Sequence, residues 1–258
     1  MYPQSRVLII AGSDSSGGAG IQADIKTVTL LGSYAMTAVT AVTAQNTMGV
    51  KKITPIPKKN VQKQIMMILD DIGADAVKIG MLYNVSIIKG VHHILKKYNL
   101  KNIVIDPVMV AKGGARLINN NSIAYLKKLL LPLAKLITPN IPEAEVLSGC
   151  SISNKEDMIQ AAKKIINMGP KNVLLKGGHL KSKMIFDILA TKKEIKVFPK
   201  RKIITKNTHG TGCTLSSALA TCLSQKKSIF KSCKISLKYV DRAITYAPGY
   251  GKGFGPLN

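Results

Sequence analysis

The chain of 258 residues has no tryptophan, and aromatic residues make up only 5% of it. A protein that reads nucleic acid by stacking bases on aromatic rings would have little to work with. Acidic residues are also scarce, with 13 Asp and Glu against 38 Lys and Arg and a net charge of +25. That balance invites a polyanionic partner. Yet arginine, which grips phosphate or guanine through two parallel hydrogen bonds, occurs only at Arg6, Arg116, Arg201 and Arg242. The lysines form scattered pairs such as Lys96-Lys97, Lys127-Lys128 and Lys163-Lys164 rather than a tract. We therefore expect a solvated lysine coat that attracts small anionic substrates, with no nucleic-acid partner.

Cysteine is sparse too. Cys150, Cys213, Cys222 and Cys233 form no CxxC pair, so no disulfide framework is implied, and a cytoplasmic protein is expected. Long apolar runs are missing. Residues 27–50 carry no charge, but they are rich in Thr and broken by Gly32-Ser33, whereas a spanning helix needs about 20 predominantly apolar residues. The segment reads as a helix end followed by a buried strand, without membrane association. There is no internal repeat or low-complexity block.

What the chain does have is 46% hydrophobic residues in alternating strand-like and helix-like patterns, consistent with one domain over residues 1–258. Short β-branched runs at 6–11, 76–79, 102–106, 136–138 and 172–175 predict strands. Segments 34–43 and 50–56 look extended, and 184–190 with 194–198 reads as a hairpin. Between them, apolar residues at helical spacing predict helices over 21–31, 61–72, 87–95, 122–130, 158–166, 211–223 and 232–246. Ser153 and Glu156 have capping-box spacing before the fifth of these. Repeated β-then-α units imply an α/β fold, a mostly parallel sheet covered by helices on both faces. Ligands of such folds gather at the carboxyl ends of the strands.

Several motifs fall at those ends. Thr208-His209-Gly210-Thr211-Gly212-Cys213 opens the helix over 211–223, and its glycines let backbone N–H groups approach an anion at the positive end of the helix dipole. The same field is expected to favour the thiolate of Cys213. The loop 12–20 carries glycine at Gly12, Gly17, Gly18 and Gly20; it suits either close approach to a ligand or a simple turn, and it lacks the Gly-Lys-Ser/Thr ending of a Walker A loop. Asp24 follows it and could point into the same crevice or into solvent. Gln45, in Ala44-Gln45-Asn46-Thr47, could pair with a heterocycle's ring nitrogen and amine, or serve turn chemistry. Asp106 and the pair Asn140/Glu143 each follow a strand and offer oxygen ligands of the kind Mg²⁺ prefers, although Asn140 could equally cap a helix. Lys176, before Gly177-Gly178-His179, could neutralise a transferring phosphoryl group or face water. His179 and His209 read as hydrogen-bonded structural residues.

Taken together these motifs resemble those of hydroxymethylpyrimidine and phosphomethylpyrimidine kinases. The similarity runs through Ala11-Gly12-Ser13-Asp14, Ser16 to Asp24, Ala44 to Thr47, Lys78-Ile79-Gly80-Met81-Leu82, Asp106 to Lys112, Thr138 to Glu145, Lys176 to His179 and Asn207 to Thr214. The Gly-Thr-Gly element alone marks only the broader ribokinase-like superfamily. The resemblance implies a ribokinase-like fold and an enzyme of thiamine biosynthesis that uses ATP and Mg²⁺. Its substrates would be 4-amino-5-hydroxymethyl-2-methylpyrimidine and then the monophosphate. By the same likeness, Gly12, Asp24, Gln45 and Met81 would surround the pyrimidine. Asn140 and Glu143, with Asp106, would manage Mg²⁺ and the ATP phosphates. Lys176 would steady the transferred group, Gly210, Thr211, Gly212 and Cys213 would form the anion hole, and the protein would be a homodimer. Most ribokinase-like sugar kinases carry a catalytic Asp where Cys213 stands, so the cysteine points to the pyrimidine branch. With the Gln45 motif it speaks against a pyridoxal kinase of the same fold.

Overall fold

A computed structural model describes residues 3–111, 114–180 and 182–257. Lys112, the last residue of the Asp106 motif, lies outside them. Among the described residues nine strands form one sheet: β1 (Arg6–Asp14), β2 (Tyr34–Asn46), β3 (Gly49–Pro55), β4 (Ala76–Ile79), β5 (Ile103–Ile105), β6 (Leu136–Ile137), β7 (Asn172–Leu175), β8 (Met184–Thr191) and β9 (Ile195–Arg201). Their spatial order is β3-β2-β1-β4-β5-β6-β7-β8-β9. The run from β2 to β7 is parallel, while β3, β8 and β9 join antiparallel at the two edges.

The strands are apolar on both sides because helices cover both faces. Leu8 and Ile10 of β1, Ile103 and Ile105 of β5, and Val173 and Leu175 of β7 enter one core. That core is covered by α2 (Lys58–Asp71), α3 (Val85–Lys97), α4 (Asn120–Tyr125), α5 (Ile141–Ser148) and α6 (Lys155–Ile166). The alternate residues Val7, Ile9, Val104 and Leu174 face a second core beneath α1 (Gly20–Leu30), α7 (Thr211–Ser224) and α8 (Ile229–Thr245). The period of two along each strand thus divides the apolar residues between two layers. Residues 214–224 of α7 are all buried, and their many small side chains (Ser216, Ser217, Ala218, Ala220) let the helix lie close against the sheet and α1.

Three expectations change. β1 runs on past Ala11 to Asp14: its register against β2 slips between Ala11 and Ser13, and pairing then resumes, so the glycine loop begins only at Ser15. The α6 cap is Asn154, whose side chain accepts from Asp157 N at 2.9 Å, rather than Ser153; Asn is as good an N-cap as Ser, and the Asp157 carboxylate closes on Ser153 N at 2.9 Å instead of on the cap's own N–H. The extended segments 34–43 and 50–56 prove to be one antiparallel hairpin, β2–β3. The uncharged stretch 27–50 is divided between the end of α1 and β2. Among the described residues no helix is long and apolar enough to cross a membrane.

Candidate active site

A cavity of about 700 Å³ opens where the parallel strands end. At one end it is walled by Gly12 and Ser13 of β1, Gln45 of β2 and Met81 after β4, with Val108 and Leu117 above them. At the other end stand Asp187, Lys200 and Asp241 from β8, β9 and α8. The mouth of α7 lies between the two ends, facing Lys176, Asp106, Asn140 and Glu143.

The α7 mouth depends on backbone geometry. Gly210 is its N-cap at φ 84°, and no side chain caps the helix. A Cβ at 210 would collide with the Gly18 carbonyl, so close approach and positive φ both require glycine there. At Gly212 a Cβ would come within 3.2 Å of Asp106 Oδ2 and 3.5 Å of Lys176 Nζ, so its absence keeps a passage open between helix and lysine. His209, just before the mouth, is buried. Its Nε2 lies 2.8 Å from Asp14 Oδ2 and 3.3 Å from Gln45 Nε2. A carboxylate only accepts, so Nε2 donates its hydrogen to Asp14 and has no lone pair left for Gln45. The Gln45 amide hydrogens are therefore available to a ligand. Burial alone would raise the Asp14 carboxyl, but hydrogen bonds from His209, the Ser16 hydroxyl and the backbone N–H groups of Ser16 and Ala19 outweigh it and hold the pKa at about 2.

Opposite α7, Asn140 caps α5 in a complete capping box: Asn140 Oδ1 accepts from Glu143 N at 2.9 Å, and Glu143 Oε2 accepts from Asn140 N at 2.8 Å. The capping reading of Asn140 is thus correct, and the cap itself lies on the cavity wall. Burial, with Asp106 nearby, raises the Glu143 carboxyl to about 7 against the pull of Lys176. Lys176 Nζ sits 3.2 Å from Asp106 Oδ1. Burial opposes its charge, but Asp106 and Glu143 prevail and hold Lys176 above its ordinary value as a cation. Thr138 Oγ1 supports Asp106 from behind at 3.3 Å.

Gly12, Gln45, Met81, Asp106, Asn140, Glu143, Lys176, Gly210, Thr211, Gly212 and Cys213 all meet around this cavity. Asp24 does not reach the wall. It is 0% exposed and turned to Lys78 Nζ at 2.7 Å, because the α1 face that carries it packs on α7 and the sheet. The expected thiolate of Cys213 is also overturned: burial pushes the thiol up to about 12, and Asp24 and Asp106 add to this, while Lys78 and a hydrogen bond from Gly20 N–H only partly oppose it. The sequence reading quoted Asp14 and Lys78 within motifs but gave them no role, and it missed the cluster in which Lys200 Nζ meets Asp241 Oδ1 at 2.7 Å and Asp187 Oδ2 at 3.5 Å. For Lys78 a signal existed, a lone lysine between Val77 and Ile79 in a strand that must be buried.

The donor chemistry near Glu143 and Asp106 suits Mg²⁺, a hard cation content with one or two carboxylates plus water and phosphate oxygens. Among the described residues no group of three or more His, Cys, Asp or Glu gathers as a closed metal cage.

Known proteins similar to this chain are named as kinases or as thiamine-biosynthesis enzymes. The family described as "Phosphomethylpyrimidine kinase" matches residues 14–258. The Geobacter sulfurreducens "Thiamine biosynthesis bifunctional protein ThiED" is 48% identical over 257 residues, all of this chain but 52% of that longer protein, so the chain spans about half its length. The "Hydroxymethylpyrimidine/phosphomethylpyrimidine kinase" of Bacillus subtilis is 43% identical, covering 98% of this chain and 94% of that protein. Among solved structures, the ADP complex of Bacillus subtilis pyridoxal kinase superposes with a TM-score of 0.92 at 38% identity, over 98% of this chain and 97% of that one. The fold is ribokinase-like, and the chain belongs to the phosphomethylpyrimidine kinase family.

Proposed function

We propose that the protein transfers the γ-phosphoryl group of ATP to the hydroxymethyl group of 4-amino-5-hydroxymethyl-2-methylpyrimidine, and then a second phosphoryl group to the resulting monophosphate. One observation carries this reading: the Gly210–Cys213 mouth, Lys176 and the available Gln45 amide share a single cavity. Gln45 can meet a ring nitrogen and its neighbouring amine, with Gly12 and Met81, which lie against each other, forming one wall beside it. The hydroxyl oxygen attacks the terminal phosphorus, the bond to the bridging oxygen breaks, ADP leaves, and the hydroxyl proton is released. Backbone N–H groups of α7 and the Lys176 ammonium stabilise the charge on the transferring group. Because that transition state is loose, little is asked of a base. Cys213, with its thiol protonated near neutral pH, is assigned to orienting the alcohol. Mg²⁺ would be held by Glu143 with Asp106 and would offset phosphate charge when bound.

Purified protein with ATP, Mg²⁺ and the hydroxymethylpyrimidine should yield the monophosphate and then the diphosphate, resolved by ion-exchange chromatography. EDTA should stop both steps. Cys213→Ala should lower kcat more than it raises KM for the pyrimidine. The likeness to pyridoxal kinase favours a second reading, so pyridoxal belongs in the same assay; faster turnover of pyridoxal would overturn the proposal. We assign a homodimer in the cytoplasm, supported by the exposed apolar side chains Val42 and Met48 on the β2–β3 hairpin and by cysteines that are all unpaired. Light scattering on the purified protein tests the dimer.

A further inference from the structure

Lys78 is among the largest side chains that are fully buried, and it lies in β4, two residues before Gly80 and the turn to Met81. Its ammonium meets Asp24 Oδ2 at 2.7 Å, while Asp24 Oδ1 accepts from Ser217 Oγ at 2.7 Å. The three residues tie α1, β4 and α7 together beneath the cavity. Lys78 Nζ would stand 2.8 Å from a Cβ at position 80, which places the ammonium at the carboxyl end of the strand and explains the glycine there. A buried ion pair is a poor way to glue helices, since apolar residues of similar volume do so as well or better. Its orientation suggests another use. Lys78 is one of the residues that line the cavity, though it is 0% exposed, whereas Asp24 on α1 is not among them. The other charged groups around this floor are Asp106 after β5 and Lys176 after β7, and Gly20 N–H reaches Cys213 from α1.

We infer that Lys78, neutralised from behind by Asp24, is a positioning residue that sets a buried positive pole under the α7 mouth and so fixes the Cys213 thiol and the transferring phosphoryl group. The inference deepens the kinase reading above and rests on it. The fixed charge needs no reorganisation as phosphoryl charge develops, and it lies where water cannot screen it. Lys78 pulls the Cys213 thiol towards the thiolate, against burial and the charge of Asp24.

The test is the double variant Lys78→Met/Asp24→Asn, which removes both charges at nearly constant volume and keeps an amide for Ser217. It should keep its circular dichroism and melt cooperatively. Its kcat should fall about 10-fold, less than the roughly 100-fold typical of losing a direct oxyanion donor, with a smaller change in KM for the pyrimidine. Iodoacetamide labelling of Cys213 at fixed pH, followed by peptide mass mapping, should slow several-fold while Cys150 labels at the wild-type rate. A folded double variant with wild-type kcat and Cys213 labelling would reduce the pair to structure and overturn the inference. If the double variant does not fold, Asp24→Asn alone serves: leaving the ammonium unopposed should speed Cys213 labelling, and an unchanged rate overturns the inference. The labelling needs no turnover. A wild-type protein inactive on the pyrimidine would therefore sink the proposed activity without deciding this inference.

Discussion

Two of the helix N-termini around this cavity, those of α5 and α7, are finished in opposite ways. At α5 the chain supplies its own cap: Asn140 and Glu143 satisfy each other's backbone N–H groups, and the helix's positive end is occupied by the protein's own carboxylate. At α7 the cap is Gly210, and no side chain closes the helix. In the proposed reaction one end would serve a cation, held by a buried acid, and the other an anion, held by the backbone. Polyphosphate accompanied by Mg²⁺ needs both at once. The uncapped end must also be held by something other than its own first turn. That support comes from His209, pinned by Asp14 through its ring and by Gly255 O through its N–H at 3.0 Å.

The sharpest way to break this contrast is to disturb the uncapped end. Gly210→Ala places a methyl group against the Gly18 carbonyl at a positive φ, so the α7 mouth must shift. A displacement of about 1 Å at a phosphoryl-transfer site costs on the order of 100-fold in rate. We expect kcat/KM for ATP to fall by about that factor in steady-state assays, and a variant within a few-fold of wild type would contradict the assigned role of the mouth.

The anchor can be tested through acid stability. The Asp14 carboxyl titrates at about 2 in the folded protein against the ordinary 3.8, so the folded state holds this proton more weakly than the unfolded chain. The stability it contributes is therefore complete above pH about 4 and disappears as pH falls through about 2. A lowering of that size corresponds to about 2–3 kcal/mol. Asp14→Asn should remove that contribution at neutral pH and flatten the urea-midpoint profile between pH 4 and 2. An unchanged slope there would mean that His209 is held by other contacts.

How much of this was legible in the sequence follows from the range of the forces involved. Short, continuously apolar runs such as Val7 to Ala11 and Ile103 to Ile105, and helical spacing in Ile87 to Leu95, are local and gave the parallel core and its covering helices. The Gly-Thr-Gly turn, Lys176 and Asn140/Glu143 were readable because strand ends and helix starts converge in any sheet of this kind. The hairpin β2–β3 was not, because its Asn46–Gly49 turn has no Asn-Gly or Asp-Gly dipeptide to announce it. Nor was the state of Cys213, whose helix-start field is a local feature while its desolvation depends on α1, β4 and α7 closing around it. Asp24 was placed on the wrong side of the wall for the same reason: only the packed structure brings Lys78 to it from 54 residues away.

The capped end gives the smallest effect and the finest test. Asn140→Ala removes the acceptor for Glu143 N, and loss of an N-cap costs about 1 kcal/mol. In a chain of this size that corresponds to about 2–4 °C in Tm. Glu143 would also lose the reciprocal geometry that aims its carboxyl at Asp106 and Lys176. The Mg²⁺ concentration giving half-maximal rate should therefore rise, while KM for the pyrimidine, which the proposal assigns to the far end of the cavity, should not. If the Tm falls as expected and the Mg²⁺ requirement stays the same, the α5 cap is structural alone, and the division of labour between the two helix ends would rest on α7.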